Sequence, residues 1–112
     1  MGIFDIFSRR PRVHQVSPEQ AWTLVDQGAQ FIDVRGPREY KDGHAVGTKN
    51  IPLDQIPRRL GRLDRNKAVV CICATGIRSS RAARAAAKQG LTAYNVKGGS
   101  RRWRAAGLSW RS

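Results

Sequence analysis

The spacing of apolar residues changes several times along this chain. Val13-His14-Gln15-Val16, with valine at both ends, predicts a first strand. Ser17-Pro18-Glu19-Gln20 then has the chemistry of a helix start: a capping hydroxyl, a proline at the first helical position and an acid in the first turn. Ala21, Trp22, Leu24 and Val25 give that helix an apolar face, and Gly28 ends it. Gln30 to Arg35 reads as a second strand broken by Gly36-Pro37, with one helical turn expected over Arg38-Glu39-Tyr40-Lys41. Gly43-His44 opens a loop toward the short extended stretch Asn50-Ile51-Pro52. Gln55 to Leu63 is predicted as a helix with Ile56, Leu60 and Leu63 on one face. Ala68 to Cys73 is continuously apolar, the pattern of a strand covered on both sides. A helix from Ser79 to Gln89, a last strand Tyr94-Asn95-Val96 and a helix around Trp103 between Gly98-Gly99 and Gly107 complete the chain.

Strands and helices in alternation predict an α/β sandwich with a mostly parallel sheet and right-handed crossovers. At 100° per residue, Arg78, Arg81, Arg84 and Lys88 fall within about 120° of arc. Ala82, Ala83, Ala86 and Ala87 lie opposite, small enough for close approach to a sheet. A chain of 112 residues predicts one compact domain. Residues 1–12 are set apart as a tail and 13–112 as the folded unit. The tail does not fit a secretion signal, because Asp5 interrupts its apolar run and the positive charges follow it. Ile6 stands where a myristoylation pattern wants Ser or Thr. A frayed or packed segment is expected there; the other reading is a surface anchor, with Ile3, Phe4, Ile6 and Phe7 in lipid above Arg9, Arg10 and Arg12. No segment approaches the roughly 20 apolar residues of a membrane span.

The formal net charge of +13 is unevenly spread: after Asp64 there is no acid, while 11 Lys and Arg follow. Such a surface attracts nucleic acid, acidic proteins and small oxyanions. Cys71 and Cys73 are too few for a disulfide framework and too closely spaced in a strand for an unstrained bridge. They also lack the spacing and second cluster of a zinc site. A cytoplasmic, thiol-using monomer with no metal or cofactor is expected.

Candidate chemistry concentrates at Cys73, where the most buried strand gives way to a helix. Open α/β sheets bind ligands beyond the carboxyl ends of their strands. In Cys73-Ala74-Thr75-Gly76-Ile77-Arg78, Gly76 lets a tight loop curl so that backbone N–H groups converge. The following helix adds its positive end, and Arg78 adds a fixed cation. That environment lowers a thiol pKa and would hold an anionic sulfur without a base or metal. Cys73-Ala74-Thr75-Gly76-Ile77-Arg78-Ser79 resembles the active-site loop of the rhodanese family of sulfurtransferases. Three further stretches carry the same resemblance: Ile32-Asp33-Val34-Arg35 with Glu39-Tyr40, Gly43 to Pro52, and Val96-Lys97-Gly98-Gly99 with Trp103 and Gly107. It runs from about Val13 to Trp110, with departures at Thr48, Ser100 and Ser109 that bear on packing. The resemblance implies a rhodanese-like three-layer sandwich with a five-stranded, mostly parallel sheet. It also implies Cys73 as the nucleophile, within a substrate- and persulfide-binding loop formed by Ala74, Thr75, Gly76, Ile77 and Arg78. A thiosulfate-like anion would donate sulfur, and a thiol or other nucleophile would accept it through a Cys73 persulfide.

Around this centre, Asp33, Arg35 and Ser79 are supporting candidates. Asp33 is expected to accept loop hydrogen bonds and Arg35 to pair with an acid such as Glu39. Cys71 is expected in the core, as are Trp22 and Trp103, and His44 is expected to be structural. Two other functions compete. A phosphatase or arsenate reductase would need a larger loop, whereas only four residues separate Cys73 from Arg78. A sulfur-relay or adaptor module would use the basic surface to bind an acidic protein or tRNA.

Overall fold

The computed structural model describes residues 12–112. Residues 1–11, on which the tail and anchor readings fall except for Arg12, lie outside the described part. Strands β1 (Val13–Val16), β2 (Gln30–Asp33), β4 (Lys49–Asn50), β5 (Val69–Ile72) and β6 (Ala93–Val96) form one sheet, ordered β1-β6-β5-β2-β4, every pair parallel. The expected five-stranded parallel sheet is therefore present. Its helices are α1 (Pro18–Asp26), α2 (Pro37–Asp42), α3 (Ile56–Arg59), α4 (Ile77–Lys88) and α5 (Gly99–Ala105). The start of α1 is a reciprocal capping box: Ser17 Oγ accepts from the Gln20 amide at 3.1 Å, and Gln20 Oε1 accepts from the Ser17 amide at 2.9 Å.

β5 is the central strand, and all four of its residues are buried. Alternation along it divides the core into two layers. Val69, Cys71 and Cys73 face one side, against Ala82, Ala83 and Ala86 of α4 together with Ile56 and Leu60. Val70 and Ile72 face the other, against Ala21 of α1 and the fully buried Trp103 of α5. Trp22 is half-buried and meets Trp103 edge to face at 6.0 Å. Sheet and two helical layers make the expected three-layer sandwich.

Three local expectations need correction. Gln55 to Leu63 is not one helix. A 3-10 turn (Leu53–Gln55), the single turn α3 and a second 3-10 turn (Leu60–Arg62) follow each other. Pro57 has no amide to donate, so the preceding turn closes by the tighter bond from the Gln55 amide to Pro52 O at 2.8 Å. Ile56 and Leu60 are nevertheless buried. Helix α4 starts at Ile77, two residues earlier than predicted, because Gly76 itself serves as the cap. Finally, β3 (His44–Ala45) pairs antiparallel with β7 (Trp110–Arg111), a second sheet that two-residue strands gave no pattern to foresee.

Candidate active site

The sheet places Cys73 one residue beyond β5, level with the end of β2, where the Val34 amide donates to Ile72 O at 2.9 Å. The chain then turns through Ala74 and Thr75 into α4. Gly76 makes this turn with φ of 100°, a conformation costly for side-chain-bearing residues. There its amide donates to Cys73 Sγ at 3.1 Å. The Ser79 hydroxyl, one turn into α4, lies 3.3 Å from the same sulfur. Burial pushes the Cys73 thiol up, but the Ser79 hydroxyl and the amides of Ser79, Thr75 and Gly76 outweigh it, and the net direction is down. Cys71, on the same face two residues earlier, has no such donors among the described residues. Its burial and the nearby Cys73 push it up to about 12.

The back of the loop is fastened to α5. The Ser100 amide donates to Cys73 O at 2.7 Å and the Arg101 amide to Ala74 O at 3.3 Å. This approach requires Gly99: a Cβ there would sit well inside van der Waals contact of Cys73 O and the Ala74 carbonyl. The carbonyls of Cys73 and Ala74 thus point away from the sulfur, while the amides of Thr75 and Gly76 serve it.

The sequence candidates are gathered only in part. Ser79 touches the sulfur. Thr75 is exposed, and Ile77 is 72% exposed, a large apolar side chain at the rim. Arg78 does not point alone into the loop. It forms a two-pronged pair with Glu39 of α2, Nη1 to Oε1 at 2.8 Å and Nη2 to Oε2 at 3.1 Å. That bond holds Glu39 below the usual carboxylate range and raises Arg78.

This corrects the pairing expected for Arg35, whose partner is Asp33 rather than Glu39. Arg35 Nε lies 3.0 Å from both Asp33 oxygens, and Nη2 lies 2.8 Å from Oδ2. The Asp33 carboxylate also accepts from the Arg35 amide at 2.9 Å, not from the Cys73 loop. The reason is reach: the arginine two residues on folds back over its own strand end, where Gly43 O takes another of its bonds at 2.6 Å. The pair is buried, with side-chain exposures of 7% and 1%. His44 stacks on Tyr40 at 3.8 Å between ring centres, and its Nδ1 lies 2.8 Å from Tyr40 O.

Two residues near the sulfur were passed over in the sequence. Asn95 on β6 is 3% exposed and takes the Ser79 hydroxyl at 2.5 Å on Oδ1. Its Nδ2 donates to Gly76 O at 3.2 Å and to Gln15 Oε1 at 2.8 Å. A polar residue in a strand flanked on both sides was the only available signal for Asn95. Gln15 gave none.

The rhodanese-like domain family matches residues 17–106 of this chain. The chain belongs to the rhodanese family. A thiosulfate sulfurtransferase, GlpE of Actinobacillus pleuropneumoniae serotype 3, is 33% identical over 96 residues, covering 84% of this chain and 89% of its own length. The uncharacterized protein YqhL of Bacillus subtilis is 39% identical over 93 residues, covering 82% of this chain and 74% of its own. A crystal structure of a rhodanese-related protein from Thermoplasma volcanium superposes with a TM-score of 0.80 at 26% identity, covering 88% of this chain and 97% of that one. At the family level, then, this rhodanese domain is of the sulfurtransferase and sulfur-relay kind. No helix among the described residues is long and apolar enough to cross a membrane.

Proposed function

We propose that this rhodanese domain is a sulfurtransferase in which Cys73 carries the sulfur. One observation supports this best: a sulfur at a strand end within reach of the Gly76 amide and the Ser79 hydroxyl, with no imidazole or carboxylate bonded to it among the described residues. Such a thiolate needs no general base. In the first half-reaction the Cys73 thiolate attacks the outer sulfur of thiosulfate. The sulfur–sulfur bond of the donor breaks, its electron pair leaves with sulfite, and Cys73 keeps a persulfide. In the second, an acceptor thiolate or cyanide attacks the outer sulfur, and Cys73 leaves again as thiolate. The loop amides around Ala74 to Arg78 would hold the negative charge at each stage. Two free thiols fit a reducing compartment such as the cytoplasm.

Intact mass after incubation with thiosulfate should rise by one sulfur atom and return with reductant. Cys73→Ser should abolish the gain; a gain that persists in Cys73→Ser but vanishes in Cys71→Ser overturns the assignment.

A second reading, transfer to an acidic protein or to tRNA, draws on the opposite side of the loop. There Arg35, Ser100, Arg101, Arg104 and Trp110 line a cavity of about 510 Å³. Arg104 lies over the Trp110 ring at 4.9 Å, and neither Arg101 nor Arg104 has a carboxylate partner among the described residues. Binding of tRNA should weaken steeply with salt, and no measurable affinity at low salt removes that acceptor.

A further inference from the structure

We propose that Asn95 is a positioning residue for the reactive sulfur, acting by competition for the single hydroxyl proton of Ser79. The orientation of the Asn95 amide is fixed by its neighbours. Gly76 O lies 3.2 Å from Nδ2, and a carbonyl only accepts, so this end of the amide is the NH2. Its second hydrogen goes to Gln15 Oε1 at 2.8 Å. The other end, Oδ1, therefore faces Ser79 Oγ at 2.5 Å and can only accept. Ser79 has one proton and two claimants: Asn95 Oδ1, and Cys73 Sγ at 3.3 Å. Cys73 and Ser79 are fully buried and Asn95 is 3% exposed, so the contest for this proton is between protein groups.

Charge decides which claimant wins. While Cys73 is a thiol, its S–H can point at the Ser79 oxygen, and the Ser79 proton stays on Asn95 with every group satisfied. When Cys73 is a thiolate, the hydroxyl turns to the sulfur and leaves Asn95 Oδ1 without its donor. Asn95 thus holds back part of the stabilisation that Ser79 could give the thiolate. The charges around the loop are fixed cations that favour the thiolate whichever way the Ser79 proton points: Arg78 of α4, paired with Glu39 of α2, Arg81 of α4, Lys97 after β6 and Arg101 of α5. Arg35 is paired with Asp33 at the end of β2, and Cys71 on β5 is neutral.

The consequence for transfer rests on the sulfur-carrying role of Cys73. A loaded Sγ is bonded to carbon and to the outer sulfur, bears no charge and is a poor acceptor, so the Ser79 proton returns to Asn95. When the acceptor's electron pair takes the outer sulfur, the pair of the broken bond stays on Sγ and the hydroxyl turns back to it. Asn95 accordingly favours the loaded form over the released thiolate, while Ser79 favours release.

The test is the pH dependence of iodoacetamide alkylation of Cys73, with the modified residue located by peptide mass; no sulfur donor is needed. Ser79→Ala should raise the midpoint by about one pH unit, the scale of a lost hydrogen bond to a charged group. Ser79→Thr, which keeps the hydroxyl, should restore it. Asn95→Leu should move the midpoint the opposite way, downward, because Ser79 then serves the sulfur alone. In the Ser79→Ala background Asn95→Leu should have no further effect. Gln15→Ala, on the exposed side of β1, should give a smaller downward shift, and it carries the test if Asn95→Leu fails to fold. General loosening of the loop would raise the midpoint in every variant; upward shifts for Asn95→Leu or Gln15→Ala overturn the proposal. If Cys73 alkylates no faster than Cys71 at any pH, this proposal and the sulfur-carrying role fall together. Normal sulfur loading combined with parallel upward shifts removes the proton competition alone.

Discussion

Cys71 lies within β5 and Cys73 one residue past its end, two positions apart on the same face. Both are fully buried and face the same helix, α4, yet one thiol is pushed up to about 12 and the other is drawn down. Neither thiol touches solvent, yet Cys73 at the strand end is the less deeply enclosed, and burial separates them only in part. The rest of the difference is hydrogen-bond supply. Cys71 sits inside the ladder, where neighbouring amides are committed to strand carbonyls. Cys73 sits where the ladder stops and the amides of the turn have no strand to serve. A thiol with a lowered pKa is made here by ending a strand.

The widest separation should appear in alkylation. Near pH 8, a thiol with its pKa at about 12 is ionised to roughly one part in ten thousand. Peptide mapping should therefore find label on Cys73 at least a hundredfold ahead of Cys71; comparable labelling would erase the distinction. Gly99→Ala should push Cys73 toward the behaviour of its neighbour. The added methyl drives the Cys73 and Ala74 carbonyls off α5 and disturbs the amides in front. We expect a stability loss of about 2–3 kcal/mol in chemical denaturation, from strain plus broken bonds, with a raised alkylation midpoint. Cys71→Ala tests the other member. It should cost about 1–2 kcal/mol as a small core deletion and leave the Cys73 midpoint in place. Glu39→Gln should do least. The Arg78 pair is partly exposed, with side-chain exposures of 39% and 44%, so less than about 1 kcal/mol is expected. The sign is set by the lowered Glu39. Its contribution is full above the ordinary carboxylate range and is lost as pH falls through that lowered value, and Glu39→Gln should flatten that acid limb.

The sheet, its helices and the loop were legible because they follow from local chemistry. A continuous apolar run makes β5, Ser17-Pro18 starts α1, and Gly76 shapes the turn. Several of the corrections share one cause, which is reach across space. Whether Arg35 takes Asp33 or Glu39 depends on where α2 settles, and Arg78 claims Glu39 from 39 residues away. Asn95 meets Gln15 across 80 residues, and only because β6 lies between β5 and β1. The β3 and β7 strands are two residues each, too short for any alternation to register. Two corrections are local instead: Gly76 caps α4 two residues early, and Pro57 alters the turn before it despite a good apolar face.

The seam between the loop and α5 also sets the loop's stiffness. Widening the ring of amides for a bulkier group would mean prying Cys73 O and Ala74 O from Ser100 and Arg101, and with them the buried Trp103 that anchors α5. If Cys73 carries sulfur as proposed, the receptacle has a narrow tolerance: a cargo of one atom would fit it, and discrimination among bulkier carriers would fall to the exposed rim of Thr75 and Ile77.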